Sequence, residues 1–164
     1  MKVLIVYASK HGTTEKVAEL LAESFEEHHV QNINIGKDAI PQLEDFDIIL
    51  IGGSIHAGSI QGKIKKFYTR NMNILLSKKV GLFLCCMEKD KKAWDEFDMV
   101  YPEQLKKHAV AHGCLGGEFL FDNMNFFEKF MVKKISGHDQ TISQIDFEGI
   151  KNFSDRIKKF LPHD

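Results

Sequence analysis

Hydrophobic and polar positions along the chain switch repeatedly between two periods. Val3-Leu4-Ile5-Val6-Tyr7 is a continuous apolar run, the pattern of a strand buried on both faces. From Thr13 to His28 the period turns helical, with Val17, Leu20, Leu21, Ser24 and Phe25 on one side. Gln31 to Gly36 alternates, with Ile33 and Ile35 inward, as an edge strand does. Phe46 to Gly53 is a second apolar run, interrupted only by Asp47 and closed by two glycines, and Gly62 to Leu76 predicts a helix through Ile64, Phe67, Tyr68, Met72 and Leu75. Val80 to Cys86 repeats the buried-strand pattern, Ala93 to His108 reads as helix, and Ala109 to Cys114 as a shorter strand. A helix over 146–160 ends the pattern, with Ile150, Phe153, Ile157 and Phe160 on its apolar side. Pro41, Pro102 and Pro162 all sit near predicted element ends, and no repeat or linker divides the chain.

Strands alternating with helices predict an α/β fold of three layers, in which a five-stranded parallel sheet carries helices on both faces. The whole chain, 1–164, then forms a single domain with strand order 2-1-3-4-5. In such a sheet a ligand lies outside the carboxyl ends of the first and third strands, where the order reverses. The residues there decide the chemistry.

After the first strand comes Ser9-Lys10-His11-Gly12-Thr13-Thr14. Hydroxyl and glycine positions between a buried strand and a helix start suit a phosphate, because amides turn inward and the helix end carries partial positive charge. The alternative is an ordinary turn whose Ser or Thr caps the helix. Neither G-x-x-x-x-G-K-[ST] nor G-x-G-x-x-G is present, which excludes those two nucleotide motifs. After the third strand comes Gly52-Gly53-Ser54-Ile55-His56-Ala57-Gly58-Ser59. Backbone of this kind can approach a flat ring and hydrogen-bond its edge; alone, it is equally a flexible connection. The two loops flank one switch point, and that favours a shared ligand. Cys85-Cys86-Met87-Glu88-Lys89, after the fourth strand, supplies a third wall. Adjacent cysteines on a strand point to opposite faces, so core or wall roles are expected rather than a disulfide. His11 and His56 fall in the two key loops, where histidine is usually a hydrogen-bonding or solvated residue.

Composition removes several function classes. With 22 basic and 23 acidic residues the formal charge is −1, which gives no field for nucleic acid. Three cysteines make no disulfide framework and suit a reducing compartment. The opening apolar run is too short for a signal-peptide core, so a cytoplasmic location is expected. The segment 125–136 carries Phe126, Phe127, Phe130, Met131 and Ile135 with Lys129, Lys133 and Lys134. It is read chiefly as a helix packing its aromatics on the sheet, and it leaves a peripheral membrane contact or a greasy acidic substrate open.

Ser9, Gly12 and Thr14, the Gly52-x-Ser54-Ile55-x-x-Gly58 pattern and the aromatic-basic segment ending at Gly137 together resemble flavodoxin-domain proteins. More narrowly, they resemble the menaquinone-dependent protoporphyrinogen IX dehydrogenase family. The resemblance spans nearly the whole chain and implies a flavodoxin-like fold binding FMN. It places the phosphate on Ser9, Lys10, His11, Gly12, Thr13 and Thr14. The isoalloxazine would lie between Ser54, Ile55, His56, Ala57, Gly58 and the wall Cys85, Cys86, Met87, Glu88, Lys89. No metal is implied. The implied activity is oxidation of a porphyrinogen, with electrons passed to a quinone or another redox partner. An electron carrier without its own substrate is the alternative. Ring-stacking Tyr and Trp are absent from 55–59 and 85–90, and Trp94 is the nearest candidate. A signalling receiver on the same strand order would need clustered acids where Ser9 and Gly52 to Ser54 stand.

Overall fold

The computed structural model describes residues 1–119, 128–130, 133–134 and 142–161. Its centre is a parallel sheet of β1 (Lys2–Tyr7), β2 (His29–Asn34), β3 (Ile48–His56), β5 (Lys79–Cys85) and β6 (Ala111–Cys114). They run in the order β2-β1-β3-β5-β6, and a short strand β4 (Ser59–Ile60) pairs antiparallel with β3. Counting only the parallel strands, this is the expected 2-1-3-4-5. Tyr7 is level with Gly52, and Ser54 with Cys85, so three strands end on one edge.

Both faces of the sheet are covered. On one side Val17, Ala18 and Leu21 of α1 (Thr13–Glu23) pack with Phe153 and Ile157 of α6 (Phe147–Lys158) against Val3, Ile5, Ile48 and Leu50. The other side carries α2 (Gly62–Arg70), α3 (Met72–Leu75), α4 (Asp90–Val100) and α5 (Glu103–His108) over Leu4, Val6, Ile49 and Ile51. The alternating sides of β1 and β3 thus feed two cores, which is why neither strand shows a polar face. Cys85 belongs to the first core and Cys86 to the second, as alternation requires.

Several element boundaries differ from the sequence reading for local reasons. The first helix stops at Glu23, not His28; the Ser24 hydroxyl donates to the Leu20 carbonyl and the chain turns through 24–28. The second strand consequently begins at His29 and ends at Asn34, leaving Ile35 beyond it. The helix expected over Gly62 to Leu76 breaks at Asn71, whose side-chain amide donates to the Phe67 carbonyl. The helix expected from Ala93 starts at Asp90 and breaks at Tyr101-Pro102, because the residue before proline avoids helical backbone. Tyr101 is buried at that break, its hydroxyl 2.6 Å from the Phe83 carbonyl and 3.2 Å from that of Ile51. Burial pushes this phenol well above its ordinary pKa, so it stays a donor and ties the α4–α5 turn to two central strands.

Besides β4, two short strands were not foreseen. β7 (Gly116–Phe119) and β8 (Ile142–Ile145) form a separate antiparallel pair beyond β6. Of the aromatic-basic segment, residues 128–130 and 133–134 are helical and Phe130 is 57% exposed, so this side chain does not pack on the sheet. Phe126, Phe127, Met131 and Ile135 lie outside the described residues.

Candidate functional site

Gly12 occupies the residue before α1 with φ 99°, a left-handed conformation that glycine adopts without a Cβ penalty. It offers no side chain to cap the helix, and the first amides of α1 have no acceptor within the helix. The Ser9 hydroxyl accepts from the Gly12 amide at 3.0 Å and closes the loop locally. Thr13 and Thr14 are buried and already partnered. The Thr13 hydroxyl is 3.5 Å from the Glu118 carbonyl, while that of Thr14 bonds the Cys85 thiol. Backbone amides, more than hydroxyls, are therefore what this loop can present to an anion. An uncapped helix of 11 residues behind a glycine turn fits a phosphate.

Across the crevice, the predicted glycine-rich loop is a tight hairpin. Ile55 pairs with Ile60 and His56 with Ser59, so Ala57 and Gly58 form a two-residue turn. Their φ values are 49° and 76°, and positive φ at both central positions defines the type I′ turn that matches strand twist. Space around the Gly58 Cβ position is open.

One residue that sequence reasoning missed joins the two sides. Gln61, just before α2, donates through Nε2 to the Ala8 carbonyl (3.1 Å) and the Ser54 hydroxyl (2.6 Å), and accepts the Ser54 amide on Oε1 (2.9 Å). It stitches the end of β1 to the end of β3. His11 and His56 then meet edge to face with ring centroids 5.9 Å apart. The Ser54 hydroxyl lies 3.0 Å from His56 Nε2. Partial burial, followed by the positive surroundings of His11 and Lys10, lowers the His56 pKa below its usual value.

The third wall behaves differently from the other two. Cys85 and Cys86 are buried, and the Cys86 amide already donates to the Gly116 carbonyl at 3.0 Å. Burial pushes the Cys85 thiol up to about 12 against the opposing Thr14 bond, and raises Cys86 as well. Both stay protonated, which argues against thiolate chemistry. Cys86 donates weakly to the Glu88 carbonyl at 3.7 Å, Glu88 reaches Lys92 at 3.8 Å, and Lys89 precedes α4. Trp94, the candidate ring-stacker, is 43% exposed and packs on Phe97. With Lys89, Gly113 and Arg156 it lines a cavity of about 600 Å³ along the free edge of β6. Among the described residues no group of His, Cys, Asp and Glu could hold a metal, and no helix is long and apolar enough to cross a membrane.

A doubly wound sheet with an uncapped helix start and a facing hairpin at its switch point defines an open α/β protein of the class that takes ligands at the carboxyl ends of its strands. The sequence matches the flavodoxin domain over residues 4–144, and the chain belongs to that family, whose cofactor is FMN. It is 25% identical over 172 residues to protoporphyrinogen IX dehydrogenase [quinone] of Escherichia coli strain K12, covering 96% of this chain and 94% of that one. Among solved structures it resembles oxidised flavodoxin 1 of Bacillus cereus, with TM-score 0.60 and 21% identity over 99% of this chain and 100% of the other. It also resembles rubredoxin oxygen:oxidoreductase of Desulfovibrio gigas, with TM-score 0.61 and 17% identity. That match covers 98% of this chain and 36% of the longer protein.

Proposed function

We propose that this protein is an FMN-dependent oxidoreductase that oxidises protoporphyrinogen IX and passes the electrons to a quinone. Support for the substrate comes from the near full-length similarity to the E. coli dehydrogenase. Support for the site comes from one observation above the rest: Gln61 and the His11–His56 contact bring the β1 and β3 loops to a single crevice.

In this reading the amides opening α1, with Lys10 and His11, receive the phosphate, and the hairpin Ser54–Gly58 lies along one side of the ring. The backbone of Cys86 to Lys89 forms the other side. Bound FMN supplies the capacity to accept and release electrons in single or paired steps. The chain's own residues fix where that happens. Gln61 holds the two strand ends in register, and the paired positive φ values of Ala57 and Gly58 close the hairpin with a tight turn. His56, kept neutral near pH 7, can accept a proton at the crevice rim.

Anaerobic turnover decides the proposal. Protein loaded with FMN is mixed with protoporphyrinogen IX, and porphyrin fluorescence is followed with and without a menaquinone analogue. Quinone-dependent formation of protoporphyrin is expected. Flavin that stays oxidised under protoporphyrinogen, yet exchanges electrons with a reductase, would make the chain a carrier instead.

A further inference from the structure

The cations rimming the β1–α1 loop face two glutamates from beyond β6. Lys10 pairs with Glu128, whose second oxygen lies 3.7 Å from His11 Nε2. Lys16 Nζ is 3.2 Å from a carboxylate oxygen of Glu118, whose backbone carbonyl already accepts from Thr13. The two acids differ in how firmly they are held. The Glu118 side chain is 3% exposed and also takes a 2.5 Å bond from the Ser143 hydroxyl. Glu128 is 21% exposed and reaches across more than a hundred residues of sequence to the loop. Its partner Lys10 is 60% exposed, so this ion pair can exchange while the Glu118 pair belongs to the architecture.

We propose that the Glu128 carboxylate is a built-in competitor for the FMN phosphate. It holds Lys10 and His11 until the phosphate dianion replaces it, so the chain's own anion sets how tightly the cofactor is retained. This rests on the reading of Ser9 to Thr14 as the phosphate loop. A carboxylate and a dianion competing for the Lys10 ammonium and the His11 ring nitrogen repel one another, and each weakens the seating of the other. The consequence is reciprocal: FMN binding loosens the Glu128 carboxylate from the loop, and that carboxylate, when paired with Lys10, weakens FMN.

Fluorescence-quenching titrations with FMN and with riboflavin, which lacks the phosphate, test this on wild type, Glu128→Gln, Lys10→Gln and the double variant. Glu128→Gln should bind FMN about tenfold more tightly at low salt and leave riboflavin affinity unchanged. The gain should shrink as ionic strength rises. Lys10→Gln should weaken FMN binding, and the gain from Glu128→Gln should be smaller in that background, because the two residues share one interaction. Unchanged or weaker FMN binding by Glu128→Gln would overturn the inference, as would an equal gain for riboflavin. Equal affinity of the wild type for FMN and riboflavin would be a different failure, since it removes the phosphate-loop reading itself.

Discussion

The two sides of the crevice work by different physics. In the proposed reading the β1–α1 side reads charge, with an uncapped helix start, Lys10, His11 and two opposing glutamates. The β3–β4 side carries no carboxylate in its turn; in the same reading it recognises shape, through backbone held at positive φ. The first side can therefore be tuned by salt and by single charges, the second only by altering conformation. Gln61 is the place where the two depend on each other.

The largest expected effect comes from placing a charge on the first side. Gly12→Asp puts a carboxylate at the helix start and a side chain at φ 99°, and should weaken FMN about a hundredfold or more. Riboflavin titrated in parallel should lose far less; equal losses would erase the distinction between the sides. Gln61→Ala removes three hydrogen bonds and should cost about 2–3 kcal/mol in urea unfolding. An unaltered denaturation midpoint would mean that the two strand ends are held by other contacts.

Paired changes in the turn sharpen the comparison from the other side. Gly58→Val should destabilise by about 1–2 kcal/mol, because a β-branched side chain resists φ 76°. It should also shift the flavin midpoint potential in spectroelectrochemistry. Ala57→Gly should act oppositely on stability, raising it by about 1 kcal/mol through relief of the left-handed strain. FMN phosphate recognition should survive both. The smallest effect concerns His56, whose folded-state pKa lies below its ordinary 6.5. Between those two values the unfolded chain binds more protons than the folded one, so stability falls as pH drops through that window. His56→Asn should flatten this acid-side slope in thermal melts run from pH 7.5 to 5; an unchanged slope would assign it to other groups.

The elements with continuous apolar runs were the most legible. β1, β3 and β5 are buried on both faces, so no alternative period competed with their sequence, and the strand order followed from the alternation with helices. The hairpin reads in sequence as a glycine-rich ligand loop rather than a tight turn, because Ala57 stands where a type I′ turn usually carries Asn or Asp. Pro102 carried the signal for the α4–α5 break, yet the helical period resumes on both sides of it and masked the interruption. Gln61, Glu118 and Glu128 were illegible for another reason. Their partners lie up to 118 positions away in sequence, as from Lys10 to Glu128, and nothing local marks a residue for such a contact.

A single carboxamide spanning Ala8 and Ser54 acts as a spacer of fixed bond lengths between neighbouring strands. The offset between the β1–α1 loop and the β3–β4 hairpin is thus set by the polypeptide alone, ahead of any visitor. A ligand touching both would spend little of its binding energy on bringing them together, and the entropy lost on docking would be mainly its own.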